Sequence, residues 1–325
     1  MDPKQLRIVF MGTPGFAVES LRALVEGGYH VVGVITAPDK PAGRGLRMTE
    51  TAVKHYAHSC DLPLLQPEKL KDPLFLQQLT ALEADLQVVV AFRMLPEVVW
   101  AMPPRGTFNL HASLLPQYRG AAPLNWAIIN GETETGVTTF LLSHEIDTGK
   151  ILFREKEAIA PEDTAGDLHD RLMIKGARLV VKTLDALASG HYTPVAQEEL
   201  MAHTGELKAA PKIFREDMHI VWNYPAEKVR NLIRGLSPWP AAWTTLKNLV
   251  QGGDTELKLF MADTGEVLPE GTLPGTLRSD GKSRLSIACG DRWLEITDLQ
   301  LAGKKRLKVQ EFLRGFPAPE NYRAR

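Results

Sequence analysis

The chain has 325 residues, 44% hydrophobic and 24% charged, with a net charge of −1. That balance excludes a disordered polymer, argues when taken alone against a nucleic-acid binder, and at this length predicts two domains. The two cysteines, Cys60 and Cys289, lie far apart without metal-ligand spacing, which excludes a disulfide scaffold or a cysteine-rich zinc site.

No apolar run approaches the ~20 residues of a membrane span, and the first residues lack a signal-peptide pattern, so a cytoplasmic protein with no metal is expected. The charge is uneven. Residues 205–325 hold 19 Lys and Arg against 15 Asp and Glu, a net of +4, and the rest of the chain carries −5. A mildly basic tail on an acidic body suits a polyanion contact and equally a solvated surface.

In chain order, residues 7–11 form a short apolar run ending at Gly12-Thr13-Pro14-Gly15, the pattern of a strand and a tight turn. Phe16, Ala17, Leu21, Leu24 and Val25 then repeat at helical spacing until Gly27-Gly28. A second strand is predicted at 31–35, followed by a Pro/Gly/basic loop at 37–48. Helices are predicted at 50–59 and 73–83, with short strands at 63–65, 86–91 and 107–111. This alternation argues a parallel, buried sheet with helices on both faces. Residues 151–159 read as an extended strand or hairpin arm and 164–188 as one long helix closed by Gly190. The polar stretch 191–211 reads as a linker between a first domain at 1–190 and a second at 212–325. The second contains a helix near 225–234 and strand-like runs at 219–222, 257–261, 285–289 and 293–299, the spacing of a small, OB-like β-barrel.

Two signals carry chemistry. The turn Gly12-Thr13-Pro14-Gly15-Phe16 permits close backbone approach, but it lacks the three-glycine dinucleotide fingerprint, no acidic residue ends the second strand, and Pro14 removes a donor. A tight turn is the expectation there. Asn109 and His111 are stronger. At positions i and i+2 of a strand they share one face at the strand's end, where open α/β sheets bind ligands. An amide and an imidazole together suit stabilisation of a developing oxyanion, and equally could be two polar residues capping loops.

The surrounding motifs separate these readings. His111-x-Ser113-Leu114-Leu115-Pro116-x-Tyr118-Arg119-Gly120-Ala121-x-Pro123, then Asn130-Gly131 with Gly136-Val137-Thr138, then Asp147-Thr148-Gly149 resemble the folate-dependent formyltransferase family over about residues 6–170. The stretch Pro38-Asp39-Lys40-Pro41-Ala42-Gly43-Arg44-Gly45 is similar to an insertion loop of the family branch that acts on tRNA. So are Leu232–Pro240 with its Ser237-Pro238-Trp239-Pro240, and Leu301-Ala302-Gly303-Lys304-Lys305.

The resemblance implies a Rossmann-like α/β catalytic domain and an OB-like domain that binds tRNA. It also implies 10-formyltetrahydrofolate as formyl donor and initiator methionyl-tRNA as acceptor, handled by a monomer. It further implies Asn109, His111 and Asp147 as catalytic residues. Asp147 would lie beside the histidine, favouring the imidazolium and accepting the amine's proton. The implied folate contacts are Phe92, Arg93, Met94 and Leu95 with Ser113, Leu114, Leu115 and Pro116. Arg93 departs from the family, which has Ala-Tyr-Gly where this chain has Ala91-Phe92-Arg93. For tRNA, Lys40, Arg44 and Arg47 in the loop and Lys304, Lys305 and Arg306 in the densest basic cluster are the candidates. His144 is expected at the surface, and Tyr118 and Arg119 are expected to order the loop after Pro116. The rival readings are a related enzyme acting on a small amine such as an amino-sugar nucleotide, a formyl-folate hydrolase, and a non-catalytic RNA-binding protein.

Overall fold

The computed structural model describes residues 2–42, 47–145, 147–201 and 205–325. The chain forms two compact units, one from Met1–Pro123, Glu134–Ala158 and His169–Ala209, the other from Leu124–Thr133, Ile159–Leu168 and Ala210–Arg325. Among the described residues no helix is long and apolar enough to cross a membrane.

The first unit is built on a seven-stranded sheet. Its spatial order is Ile151–Ala158, Glu134–Leu141, Thr107–His111, Leu86–Val90, Ile8–Gly12, Val31–Ile35 and Leu64–Leu65. The last five are parallel, and the first two add an antiparallel edge. Every residue of Ile8–Gly12 and Leu86–Val90 is buried, which is why these strands read as near-continuous apolar runs, interrupted only by the buried Gln87, rather than alternating ones. The chain runs outward from Ile8–Gly12 to Leu64–Leu65, then returns to lay Leu86–Val90 on the other side. The strand order therefore reverses between Ile8–Gly12 and Leu86–Val90, the place where such sheets open a crevice at their carboxyl ends. Gly12 closes the first strand because a Cβ there would meet Ala17 Cβ at 2.6 Å and Val90 O at 3.0 Å, so only glycine lets the helix Gly15–Glu26 pack so close.

The expected linker 191–211 is not an open tether. Val195 exchanges backbone hydrogen bonds of 2.9 Å each way with Ile151, a short helix spans Gln197–Met201, and Tyr118 N donates to Lys208 O at 2.7 Å. Residues 124–133 and 159–168, read from sequence as part of the first domain, group with the second unit. There Asn125 Nδ2 donates to Gly235 O at 2.8 Å, and Arg234 Nη1 donates to Asp163 O at 3.2 Å. Thr164 and Asp167 cap the long helix Ala165–Ser189 reciprocally, Thr164 N donating to Asp167 Oδ2 at 2.9 Å and Asp167 N to Thr164 Oγ1 at 3.3 Å.

The second unit carries an antiparallel sheet ordered Leu277–Ser279, Leu285–Ala288, Arg292–Leu301, Asp254–Val267, Ala242–Asn248 and Tyr322–Ala324. Thr276 bridges Arg323, so the two ends of that order meet and the barrel nearly closes. Its core joins Trp222, Val229, Ile233, Leu257, Ile287, Leu294 and Leu299, and the helix Ala226–Gly235 lays its apolar side on it. The run 219–222 is not a strand. It is irregular backbone, held to the sheet where Ile220 N donates to Trp243 O at 2.9 Å.

Candidate active site

Asn109 and His111 lie at the carboxyl end of Thr107–His111, two residues apart and on one face. His111 is 6% exposed, and its Nε2 lies 2.9 Å from Tyr118 O. A carbonyl only accepts, so Nε2 carries the hydrogen, and Nδ1 is the ring nitrogen left for chemistry. Tyr118 presents that carbonyl from a left-handed backbone, φ 60°. Asn109 is half-buried, and its Oδ1 is buried without a hydrogen-bond partner among the described residues. A buried, unanswered amide oxygen is costly, and in a native fold it marks a place where a donor from solvent or ligand arrives.

The loop beyond His111 is fixed by its neighbour strand. Thr138, opposite His111 in the antiparallel register, donates from Oγ1 to Ser113 O at 2.7 Å and accepts from Leu115 N at 3.1 Å. Ser113 Oγ donates to Gln117 O at 2.6 Å. Asp147 reaches the same loop from another segment, its Oδ2 accepting from Gly120 N at 3.1 Å. His111 and Asp147 are thus both anchored on residues 118–120. Asp147 itself has a left-handed backbone, φ 54°.

The residues expected around a folate fall in three settings. Leu115 is fully buried in a small core with Phe140 and Ile151, and Ser113 and Pro116 are buried beside it. Phe92 and Leu95 pack on the core of the parallel sheet, with Met94 exposed. Arg93 and Leu114 line open space. Arg93 joins Thr13, Pro14, Ala37, Pro38, Asp39, Lys40, Glu68 and Ala91 around a cavity of about 620 Å³, which sits at the reversal of strand order. Leu114 lines a second cavity of about 450 Å³ against the edge strand, with Ile151, Phe153, Arg154, Val195 and Leu200. Arg93 is also a clamp. Its Nη1 donates to Glu68 O at 2.7 Å and its Nη2 to Pro67 O, and burial lowers its pKa from the ordinary arginine value. The turn after the first strand, expected to be only a turn, forms a wall of the larger cavity through Thr13 and Pro14.

The loop at 37–48 contains a hairpin in which Lys40–Ala42 pairs with Arg47–Thr49. Lys40 lines the larger cavity and Arg47 opens the second strand of the hairpin, whereas Arg44 lies outside the described residues. Next to them Asp39 takes Lys54 Nζ at 2.5 Å and Gln66 Nε2 at 2.8 Å, and these two bonds hold its carboxyl below the usual carboxylate range. In the second unit Lys304 and Lys305 are exposed. Arg306 instead forks onto Asp298, with Nε to Oδ1 at 2.8 Å and Nη2 to Oδ2 at 2.5 Å, and Lys308 Nζ stands 3.3 Å from the same carboxylate. His144 is exposed, 3.5 Å from Glu97.

Two participants were invisible in the sequence: the Tyr118 carbonyl and the Gly120 N–H. Both are backbone groups, which residue types do not announce. Among the described residues no cluster of His, Cys, Asp or Glu could hold a metal ion.

The pattern of the family described as formyl transferase matches residues 6–184, and that of the formyl transferase C-terminal domain matches residues 212–317. Methionyl-tRNA formyltransferase of Bacteroides thetaiotaomicron is 56% identical over 324 residues, covering 99% of both chains. That of Flavobacterium johnsoniae is 50% identical over 314 residues, covering 96% of both. Among solved structures, HypX from Aquifex aeolicus in complex with tetrahydrofolic acid superposes with a TM-score of 0.61 at 19% identity. The match covers 95% of this chain and 47% of HypX, so this chain spans about half of that longer protein. The N-formyltransferase from Helicobacter canadensis, in complex with folinic acid and dTDP-3-aminofucose, gives a TM-score of 0.61 at 18% identity over 90% of this chain and 99% of its own. The two structural likenesses establish the fold.

Proposed function

The chain belongs to the formyl transferase family, and on that premise we propose that it moves the formyl group of 10-formyltetrahydrofolate to the α-amino group of methionyl initiator tRNA. The observation that carries this reading beyond kinship is the arrangement at the end of Thr107–His111. There an amide with an unanswered oxygen stands two residues from an imidazole whose Nε2 is committed to the 118–120 loop, and the Asp147 carboxylate docks on that same loop. The first unit takes the chemistry. The second takes tRNA, with Lys304 and Lys305 as its phosphate contacts and Lys40, Arg44 and Arg47 of the 37–48 stretch as contacts to the acceptor end. The protein works as a monomer in the cytoplasm.

The folate supplies an activated formyl carbon. Its contacts are residues 92–95 and 113–116, among which Arg93 and Leu114 each line open space. The acceptor amine, with a reference pKa of ~7.7–8.0, is partly neutral at pH 7 and can attack. A bond forms between its nitrogen and the formyl carbon, and the bond to the folate nitrogen breaks. The amine gives up one proton and the folate nitrogen gains one. Negative charge develops on the formyl oxygen, and Asn109 Nδ2 stabilises it together with the His111 imidazolium, whose Nε2–H is committed to Tyr118 O and whose Nδ1–H faces the charge. Asn109 Oδ1 accepts a hydrogen from the incoming amine, which answers the buried atom. Asp147 accepts the proton that the amine releases, directly or through one water, and passes it on to the departing folate nitrogen, which returns the carboxylate to its starting state.

The deciding experiment follows a radiolabelled formyl group from 10-formyltetrahydrofolate to methionyl-tRNA with the purified chain alone. Label on methionyl-tRNA supports the reading. Label on an amino-sugar nucleotide and none on methionyl-tRNA overturns it.

A further inference from the structure

The 191–211 segment carries one buried polar side chain that the chemistry above does not use. Gln197 is 0% exposed. Its Nε2 donates to Asp147 O at 2.7 Å and to Gly149 O at 2.9 Å. Its Oε1 accepts from Arg119 Nε at 3.1 Å and from Arg119 Nη2 at 2.6 Å. Both donors and both acceptor positions of the amide are therefore used. Arg119 immediately precedes Gly120, whose N–H donates to the Asp147 carboxylate at 3.1 Å. The contacts close a ring from the Asp147 carbonyl through Gln197, Arg119 and Gly120 back to the Asp147 carboxylate.

We propose that Gln197 is a positioning residue for formyl transfer. It sets the Asp147 carboxylate by holding both the backbone that carries it and the loop that receives it. This rests on the function proposed above. Three observations make the role specific. Asp147 occupies the left-handed region, which a non-glycine residue keeps only where its surroundings over-determine it. At Gly149 a Cβ would lie 1.6 Å from Leu141 O, so the 147–149 turn is pressed against the strand Glu134–Leu141 and cannot relax toward it. The two carbonyls of that turn, at Asp147 and Gly149, both accept from Gln197 Nε2. Loss of that donor frees the turn to rotate, and the carboxylate with it.

Gln197→Glu separates positioning from simple packing. It keeps the side chain's size and its acceptor for Arg119, but it sets a carboxylate oxygen against two carbonyl oxygens. Gln197→Ala removes every bond. Both variants are expected to lower kcat for formyl transfer by about tenfold to a hundredfold, the scale of a catalytic group misplaced by about 1 Å, with KM for folate and tRNA within about twofold. Independently of activity, the Gly120 amide resonance of ¹⁵N-glycine-labelled protein should move in both variants, because its carboxylate acceptor shifts. Should Gln197→Ala fail to fold, Gln197→Glu carries the test. A Gln197→Glu protein with unchanged kcat and an unmoved Gly120 resonance overturns the proposal. A wild-type protein that transfers no formyl group overturns the functional reading instead, and the Gly120 resonance still decides the positioning.

Discussion

Two buried polar sites, one in each unit, are answered in opposite ways. In the first unit His111 is held by the Tyr118 carbonyl and Asp147 by the Gly120 N–H, and capacity is left over: Asn109 Oδ1 is buried and unanswered, and His111 commits only Nε2. In the barrel, Asp298 is 4% exposed and both its oxygens are occupied by Arg306, with Lys308 added on one. A saturated buried carboxylate contributes stability. An unsaturated site is costly to the fold and is useful only when a ligand completes it. The comparison also changes the reading of the basic cluster at 304–308. Its four cations are Lys304, Lys305, Arg306 and Lys308, yet Arg306 and Lys308 are engaged by Asp298, and Arg306 also stacks over Phe260 at 4.2 Å.

Four measurements test this contrast. The largest effect is expected for Asp147→Asn. Asparagine still accepts the Gly120 N–H, so the fold stays, but the proton acceptor is lost and turnover should fall about 10²–10⁴-fold. Steady-state kinetics beside a melting curve would show it, and a stability loss without a turnover loss would assign Asp147 to structure. Asn109→Ala should cost about 10²–10³ in turnover, the scale of one oxyanion donor, with Tm unchanged or raised because the unanswered oxygen is gone. A large drop in Tm would place Asn109 with the saturated groups.

Asp298→Asn should do the reverse. Activity at the sheet is untouched, and unfolding by urea should show a loss of about 1–3 kcal/mol. Its pH dependence follows from the shift. Burial pushes the Asp298 carboxyl up, but the Arg306 and Lys308 bonds outweigh it and hold the pKa below the ordinary value. A depressed carboxylate contributes its stability above the unfolded pKa and loses it as pH falls through the folded one. The gap between wild type and Asp298→Asn should therefore be constant from about pH 5 to 8 and close below about pH 4. Smallest is the double change Lys304→Ala with Lys305→Ala. It should weaken tRNA binding alike for all sequences and reduce the salt slope by about two. Adding Arg306→Ala should cost stability rather than a third unit of slope.

The most legible elements were those whose own residues carry the signal. Val31–Ile35 and Leu86–Val90 stand out as mostly apolar, β-branched runs, and Ala165–Ser189 as a long three-and-four repeat. Three things escaped. Glu134–Leu141 mixes threonines with apolar residues because its neighbours on both sides bury it, so it shows no clean alternation. Lys40–Ala42 and Arg47–Thr49 carry proline and basic residues that argue loop. Residues 191–211 are polar enough to look like a tether, and nothing about a glutamine in a polar run shows that it is fully buried.

The parallel sheet, the barrel-like second unit, the family, and the i, i+2 pair Asn109 and His111 are legible in the chain, because each is written in residue types at short range. Tertiary structure alone decided which ring nitrogen of His111 is free, where the Asp147 carboxylate docks and which residues close the two cavities. It also decided that half of a basic cluster serves Asp298. These depend on backbone carbonyls and N–H groups, common to every residue and so silent in the sequence. They also depend on contacts such as Gln197 with Asp147, fifty positions apart, whose partners are chosen only when the chain has folded.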